Sequence, residues 1–236
     1  MEVQFAVAKI GKYATSESGD TLEMIERPSG GLSFVLADGQ RSGLSAKLIS
    51  NIVARKAIQL LSEGVRDGAA ARAAHDYLYA QRGGKVSATL NILSIDLVSK
   101  TFVISRNNAA PVLVYTQADG HMLLDQPSKS VGVNRNTKPV IAELPLLVGT
   151  IIVVFTDGLR HAGDWSGQGG YDPEATFREM IAAGITSPRT IADSLMAGAL
   201  AKDNGRPKDD ISVLVTAVLP PVHSTKIRRM DVHLPL

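Results

Sequence analysis

Along this chain the hydrophobic period switches from strand-like to helix-like and back, and it does so twice. Apolar or β-branched runs at residues 3–10, 21–26 and 32–37 are separated by Ser18-Gly19-Asp20 and by Pro28-Ser29-Gly30-Gly31, turn-forming clusters that mark the runs as short strands. From Ser42 the spacing becomes helical. Leu44, Leu48 and Ile52 form one stripe and Ile49, Val53, Ala57 and Leu61 an adjacent one, together the wide apolar face expected of a core helix. Gly64 ends it, and an alanine-rich helix over about 66–81 stops at Gly83-Gly84. Strand-like runs return at 86–97, 101–105, 112–116, 121–124, 141–147 and 150–155, helical spacing at 173–183 and 188–201, and a last strand at 211–219. That order is not the strict strand-helix alternation of a parallel sheet; it fits antiparallel sheets covered by helices.

Composition narrows what such a fold can do. The chain has 236 residues and no cysteine, which excludes a disulfide scaffold, a thiolate metal site and every cysteine nucleophile. Any hydrolysis must use a metal, a hydroxyl or a carboxylate. With 25 Lys and Arg against 23 Asp and Glu, the chain lacks the basic excess of a nucleic-acid binder. No segment repeats and no low-complexity linker divides the chain, so residues 1–220 are expected to form one domain and 221–236 a short tail made basic by Lys226-Ile227-Arg228-Arg229. Met1-Glu2-Val3-Gln4 lacks the basic-then-apolar order of a signal peptide, and no long apolar stretch follows; a cytoplasmic protein with no membrane contact is expected.

Aspartate-glycine occurs at Asp38, Asp67, Asp119 and Asp157. Asp67 lies between two helices and Asp119 between two strands, and both read as structural turns. Asp38 and Asp157 instead end apolar runs, where a stiff backbone holds the carboxylate and the following glycine lets a ligand approach the main chain. Asp20, in Ser18-Gly19-Asp20, and Asp209-Asp210, leading into residues 211–215, also lie in turns beside strands. Carboxylates converging from these places would repel one another, and hard divalent cations are their natural counter-ions. On the residues alone, unrelated strand-end aspartates remain the alternative.

Taken in order, Ser18-Gly19-Asp20, Ala37-Asp38-Gly39 with Gly43 and Ala46 opening a helix, Phe155-Thr156-Asp157-Gly158, and Asp209-Asp210-Ile211-Ser212 resemble the metal-dependent protein phosphatases of the type 2C family, in particular the bacterial sporulation and stress-response branch. Lys85-Val86-Ser87-Ala88-Thr89 and Asn107-Asn108-Ala109-Ala110-Pro111 fall where that branch has its central strands and a turn. The resemblance, over about residues 3–218, implies an α+β fold: an αββα sandwich of two antiparallel sheets flanked by helix pairs. It implies two Mn²⁺ or Mg²⁺ ions, with Asp38 bridging them, the Gly39 carbonyl on one, Asp157 and Asp209 on the other, and Asp20 ligating directly or through water. The implied reaction is hydrolysis of phosphoserine or phosphothreonine by a metal-activated water, on a phosphorylated regulatory protein of the STAS-domain or anti-sigma-antagonist type.

The chain also departs from that pattern. The stretch Lys12-Tyr13-Ala14-Thr15 lacks the phosphate-gripping arginine of eukaryotic members, and Arg41 reads as an exposed arginine. Gln40 stands where many relatives have histidine, His161 where the bacterial branch often has glutamate, and Ala109-Ala110 where it has Gly-His. These changes give the rival reading, a pseudophosphatase that binds proteins without turnover. A metal phosphodiesterase is a weaker rival, with no base-binding pattern behind it. His75 and His121 have no spaced co-ligands and read as packing or surface residues. The glycine-rich stretch 163–170, with Asp164 and Trp165, is either a flap by the metal site or an ordinary loop.

Overall fold

The computed structural model describes residues 1–164, 169–221 and 227–235. Strands β1 (Glu2–Ile10), β2 (Asp20–Glu26) and β3 (Gly31–Gly39) precede helices α1 (Gly43–Ser62) and α2 (Asp67–Arg82). Strands β4 (Ala88–Asp96), β5 (Thr101–Asn107), β6 (Val112–Thr116), β7 (Gly120–Leu124), β8 (Val140–Pro145) and β9 (Ile151–Phe155) follow. Helices α3 (Asp157–His161), α4 (Pro173–Ala182) and α5 (Pro188–Lys202) lead to β10 (Ile211–Leu219). Two five-stranded sheets result, ordered β1-β10-β9-β6-β7 and β2-β3-β4-β5-β8, with every strand pairing antiparallel.

Side-chain alternation along each strand builds the layers. On β3, Phe34 and Leu36 join the core between the sheets, while Val35 and Ala37 pack under α1 and α2. On β9, Ile152 and Val154 face the inter-sheet core, while Val153 and Phe155 pack with Phe177, Ile191 and Leu195 of α4 and α5. Strands buried on both faces read as continuous apolar runs, which is why the runs ending at Asp38 and Asp157 show so little polar alternation. The molecule is the expected αββα sandwich.

Several local expectations need correction. Of the two stripes on α1, only Ile49, Val53, Ala57 and Leu61 are buried; Leu44 and Leu48 remain 62% and 51% exposed. A helix resting on one sheet covers a single stripe, so the inferred face was too wide. Asp67 is not part of a plain turn. It is the first residue of α2, buried and paired with Arg27 at 3.0 Å and hydrogen-bonded to Ser94, contacts between three distant segments that no local pattern announces. Asp157 does not merely end a strand but opens the short helix α3, and β8 stops at Pro145, short of the run inferred to 147.

The two isolated histidines have packing roles. His75 is buried, its Nδ1 accepting the Gly132 N–H at 3.0 Å, and His121 lies edge-on to Phe177 at 5.5 Å. Residues 165–168 of the glycine-rich stretch and Lys226 of the tail lie outside the described residues. In the tail, Arg228 meets Glu26 at 3.0 Å. No helix among the described residues is long and apolar enough to cross a membrane.

Candidate metal centre

The inter-sheet core changes character at one end of the sandwich. Asp20 and Asp38 are directly opposed in the β2–β3 register, two carboxylates on one face at the ends of their strands. They continue the rows of Leu22 and Met24 on β2 and of Phe34 and Leu36 on β3, which face the other sheet. The other sheet supplies Thr156, one residue beyond β9, and Ser212, the second residue of β10. Both hydroxyls cross the gap: Thr156 Oγ1 donates to Asp20 Oδ2 at 2.9 Å and Ser212 Oγ donates to the same oxygen at 2.6 Å. The Ser212 N–H in turn donates to Thr156 Oγ1 at 3.0 Å. Asp20 is fully buried, and its Oδ1 has no hydrogen-bond partner among the described residues.

Asp157 and Asp209 enter from the second sheet, Asp157 as the first residue of α3 and Asp209 just before β10. Gly158 makes their approach possible: a Cβ there would sit 2.1 Å from the Asp210 carbonyl oxygen and 3.2 Å from the Asp209 Cβ. Gly39 does the same for α1, since a Cβ on it would lie 2.0 Å from the Ala46 carbonyl oxygen. Asp210 is a fastener. Its Oδ1 accepts the Lys12 N–H at 2.9 Å and its Oδ2 the Gly19 N–H at 2.7 Å, tying the start of β10 to the loop that delivers Asp20.

Electrostatics record the crowding. Burial pushes the Asp38 carboxyl up to about 9, reinforced by the charges of Asp20, Asp157, Asp209 and Asp210. Burial also raises Asp20 to about 6, although the Ser212 and Thr156 hydroxyls pull it back. Asp209 is raised too, chiefly by burial, against the stabilising Asp210 N–H at 2.9 Å. Two lysines answer this charge from behind: Lys9 Nζ and Lys47 Nζ each donate to the Asp20 carbonyl oxygen at 2.7 Å. Lys9 is held below its usual range by burial and then by Lys47.

The donor set suits a hard cation: carboxylate and carbonyl oxygens, one of them the orphaned, buried Asp20 Oδ1. Among the described residues no three acidic or imidazole side chains are drawn tightly enough to enclose an ion as they stand. Their like charges oppose that final approach, and a divalent cation would reverse the sign of the interaction. Thus Asp20, Asp38, Gly39, Asp157 and Asp209 do reach one corner, with Asp210 as a scaffold beside them.

Sequence reasoning missed Thr156, Ser212, Lys9 and Lys47 as parts of this corner. The first two carry a readable signal, a hydroxyl at an inward-facing position of an otherwise apolar alternation. The lysines carry none, because their partner is a backbone carbonyl. It also missed Arg106, fully buried and donating to the Ala110, Leu124 and Gln126 carbonyls, which ties the turn at 108–111 to the end of β7. Gln40 is engaged with Ser87, which it meets through both its backbone N–H and its side-chain oxygen, at 3.0 and 3.1 Å.

The family model described as Stage II sporulation protein E (SpoIIE) matches residues 28–219. No curated protein matches the chain significantly. Among solved structures, the phosphatase domain with a fragment of the regulatory domain of SpoIIE from Bacillus subtilis aligns with a TM-score of 0.77 at 19% identity, over 92% of this chain and 63% of that longer one. RsbX in complex with magnesium aligns with a TM-score of 0.68 at 16% identity, covering 92% of this chain and 95% of the other. The catalytic domain of the serine/threonine phosphatase PstP, holding two manganese ions, aligns with a TM-score of 0.67 at 16% identity, over 92% of this chain and 99% of that one. Likeness at such identities establishes the fold.

Proposed function

The chain belongs to the Stage II sporulation protein E (SpoIIE) family, and from that premise we propose that it is a metal-dependent protein serine/threonine phosphatase. The observation that carries this reading is the meeting of Asp20 and Asp38 from one sheet with Asp157 and Asp209 from the other at a single half-open corner. Asp38, the Gly39 carbonyl, Asp157 and Asp209 would hold two Mn²⁺ or Mg²⁺ ions, with Asp20 ligating directly or through water. Bound there, such ions acidify a water, align it with phosphorus and offset charge on the phosphoryl oxygens.

The protein's own groups do the rest. Thr156 and Ser212 aim Asp20 by occupying one of its oxygens and leaving the other for the site. Lys9 and Lys47 offset the acidic corner by donating to the Asp20 backbone carbonyl rather than to its carboxylate. Asp210 spends both oxygens on backbone N–H groups, so it positions the loops and leaves ligation to its neighbours. No covalent intermediate is needed, in keeping with a chain that has no cysteine. Residues 1–220 would form the phosphatase unit and 221–236 its tail.

The substrate class is a phosphoserine or phosphothreonine on an accessible loop of a regulatory protein, of the STAS-domain or anti-sigma-antagonist type. The family membership and the resemblance to the stress-response branch support that choice. The test is turnover of a phosphoserine peptide by the purified protein with Mn²⁺ and with chelator, beside Asp38→Ala and Asp157→Ala. Turnover with Mn²⁺ that chelation or either substitution abolishes is expected; turnover indifferent to chelation and to both substitutions overturns the reading.

A further inference from the structure

We propose that His161, held by Asp164, is the general acid that protonates the leaving seryl or threonyl oxygen; the inference rests on the phosphatase reading above. His161 closes α3, the helix that Asp157 opens, so the two residues are i and i+4 neighbours on one helix face. His161, Asp164, Gly158, Lys208 and Asp209 line one cavity of about 290 Å³, which places the imidazole and a proposed metal ligand on walls of the same space. Asp164 Oδ2 lies 2.8 Å from His161 Nδ1, which leaves Nε2 as the ring nitrogen available to a substrate. A carboxylate on Nδ1 sets the tautomer and orients the ring, the arrangement a proton donor needs.

The dyad is also fastened to the metal corner. Asp203, buried at the end of α5, accepts the Gly163 N–H on Oδ1 at 2.9 Å and the Lys208 N–H on Oδ2 at 3.0 Å. One carboxylate thus ties the turn carrying His161 and Asp164 to the segment delivering Asp209. Gln40, which stands where many type 2C phosphatases have histidine, is not an acid and its side-chain oxygen accepts the Ser87 N–H.

The step balances. Water oxygen forms the new bond to phosphorus while the bond from phosphorus to the seryl oxygen breaks. The departing oxygen keeps the electron pair and takes the Nε2 proton of imidazolium His161, yielding the free hydroxyl. The proton shed by the attacking water passes to solvent, from which His161 is recharged. Lys208, on the same cavity wall, adds a positive charge beside Asp209.

A general acid matters most when the leaving oxygen is a poor one, so the experiment compares phenyl phosphate with p-nitrophenyl phosphate in the presence of Mn²⁺. In His161→Gln the kcat/KM ratio of phenyl to p-nitrophenyl ester should fall by about 100-fold, within the range general acids contribute; Asp164→Asn should lower the same ratio to a smaller degree. Nitrogen-15 spectra of the metal-free wild-type protein should show His161 with its proton on Nδ1 in the neutral ring, and Asp164→Asn should mix the tautomers. Equal losses on both esters, no loss, or a wild-type ring already mixed between tautomers overturns the assignment. Wild-type silence on both esters and on the phosphoserine peptide, with and without Mn²⁺, overturns the phosphatase reading itself and this inference with it.

Discussion

At Asp38, burial and four neighbouring carboxylates keep the folded-state carboxyl protonated up to about pH 9, while in the unfolded chain it ionises near the ordinary 3.8. Between those values the folded state binds the extra proton, so the stability of the metal-free protein falls as pH rises. Asp20, raised to about 6, adds to the slope at its acid end. Urea unfolding in chelator between pH 5 and 9 should therefore show stability declining by up to about 1.4 kcal/mol per pH unit for each such proton. Saturating Mn²⁺, which displaces the proton, should flatten the dependence, and Asp38→Asn should reduce it without metal. A stability that climbs across this range, or is indifferent to Asp38→Asn, contradicts the electrostatic picture. Asp38 was readable as a candidate because it ends an apolar run before glycine. Its opposition to Asp20 was not, since register depends on which strands pair.

At the scale of elements, α1 shows where periodicity stops being informative. Two adjacent stripes carry equally apolar residues, yet the stripe of Ile49, Val53, Ala57 and Leu61 is buried against the sheet and α2, while of the other stripe Ile52 packs at its margin and Leu44 and Leu48 stay exposed. Leu61→Ala is expected to cost about 2–5 kcal/mol as a cavity in a close-packed core. Leu44→Ser and Leu48→Ser should stay within about 0.5 kcal/mol, as exposed sites do. Chemical denaturation of the three variants decides the point; a Leu44→Ser or Leu48→Ser loss matching that of Leu61→Ala would mean that the whole double stripe is buried in solution. Helix α3 poses a related problem: at five residues it is too short to show a period, so Asp157 reads as a strand end when it is also a helix start.

For the whole molecule, the decisive contact is the closure of the two sheets over Asp20. Thr156 and Ser212 are the only hydroxyls among the described residues that reach its carboxylate, and both come from the opposite sheet. Thr156→Val with Ser212→Ala leaves a buried carboxyl without any hydrogen bond, a change worth about 1–3 kcal/mol for each lost partner. The double variant should lower the thermal midpoint and weaken the stabilisation by Mn²⁺, because an unaimed Asp20 is a poorer ligand. Calorimetry with and without the ion tests both. An unaltered Mn²⁺ response would remove Asp20 from the site while leaving Asp38, Asp157 and Asp209 in it.

Period, turn chemistry and the missing cysteines are local or additive properties, and from them the sequence by itself determined the order of strands and helices, the layered class and the chemistry left open to the chain. The order of the four acidic motifs carried the family resemblance and with it Asp20, Asp38, Gly39, Asp157 and Asp209. Which stripe of α1 is covered, that Asp67 serves a buried ion pair, that Lys9 and Lys47 share one carbonyl, and that His161 and Asp209 face one cavity were decided only by the tertiary structure. Each is a contact between segments far apart in the chain. Its energy depends on distance and desolvation, quantities that exist only once two sheets have closed on each other.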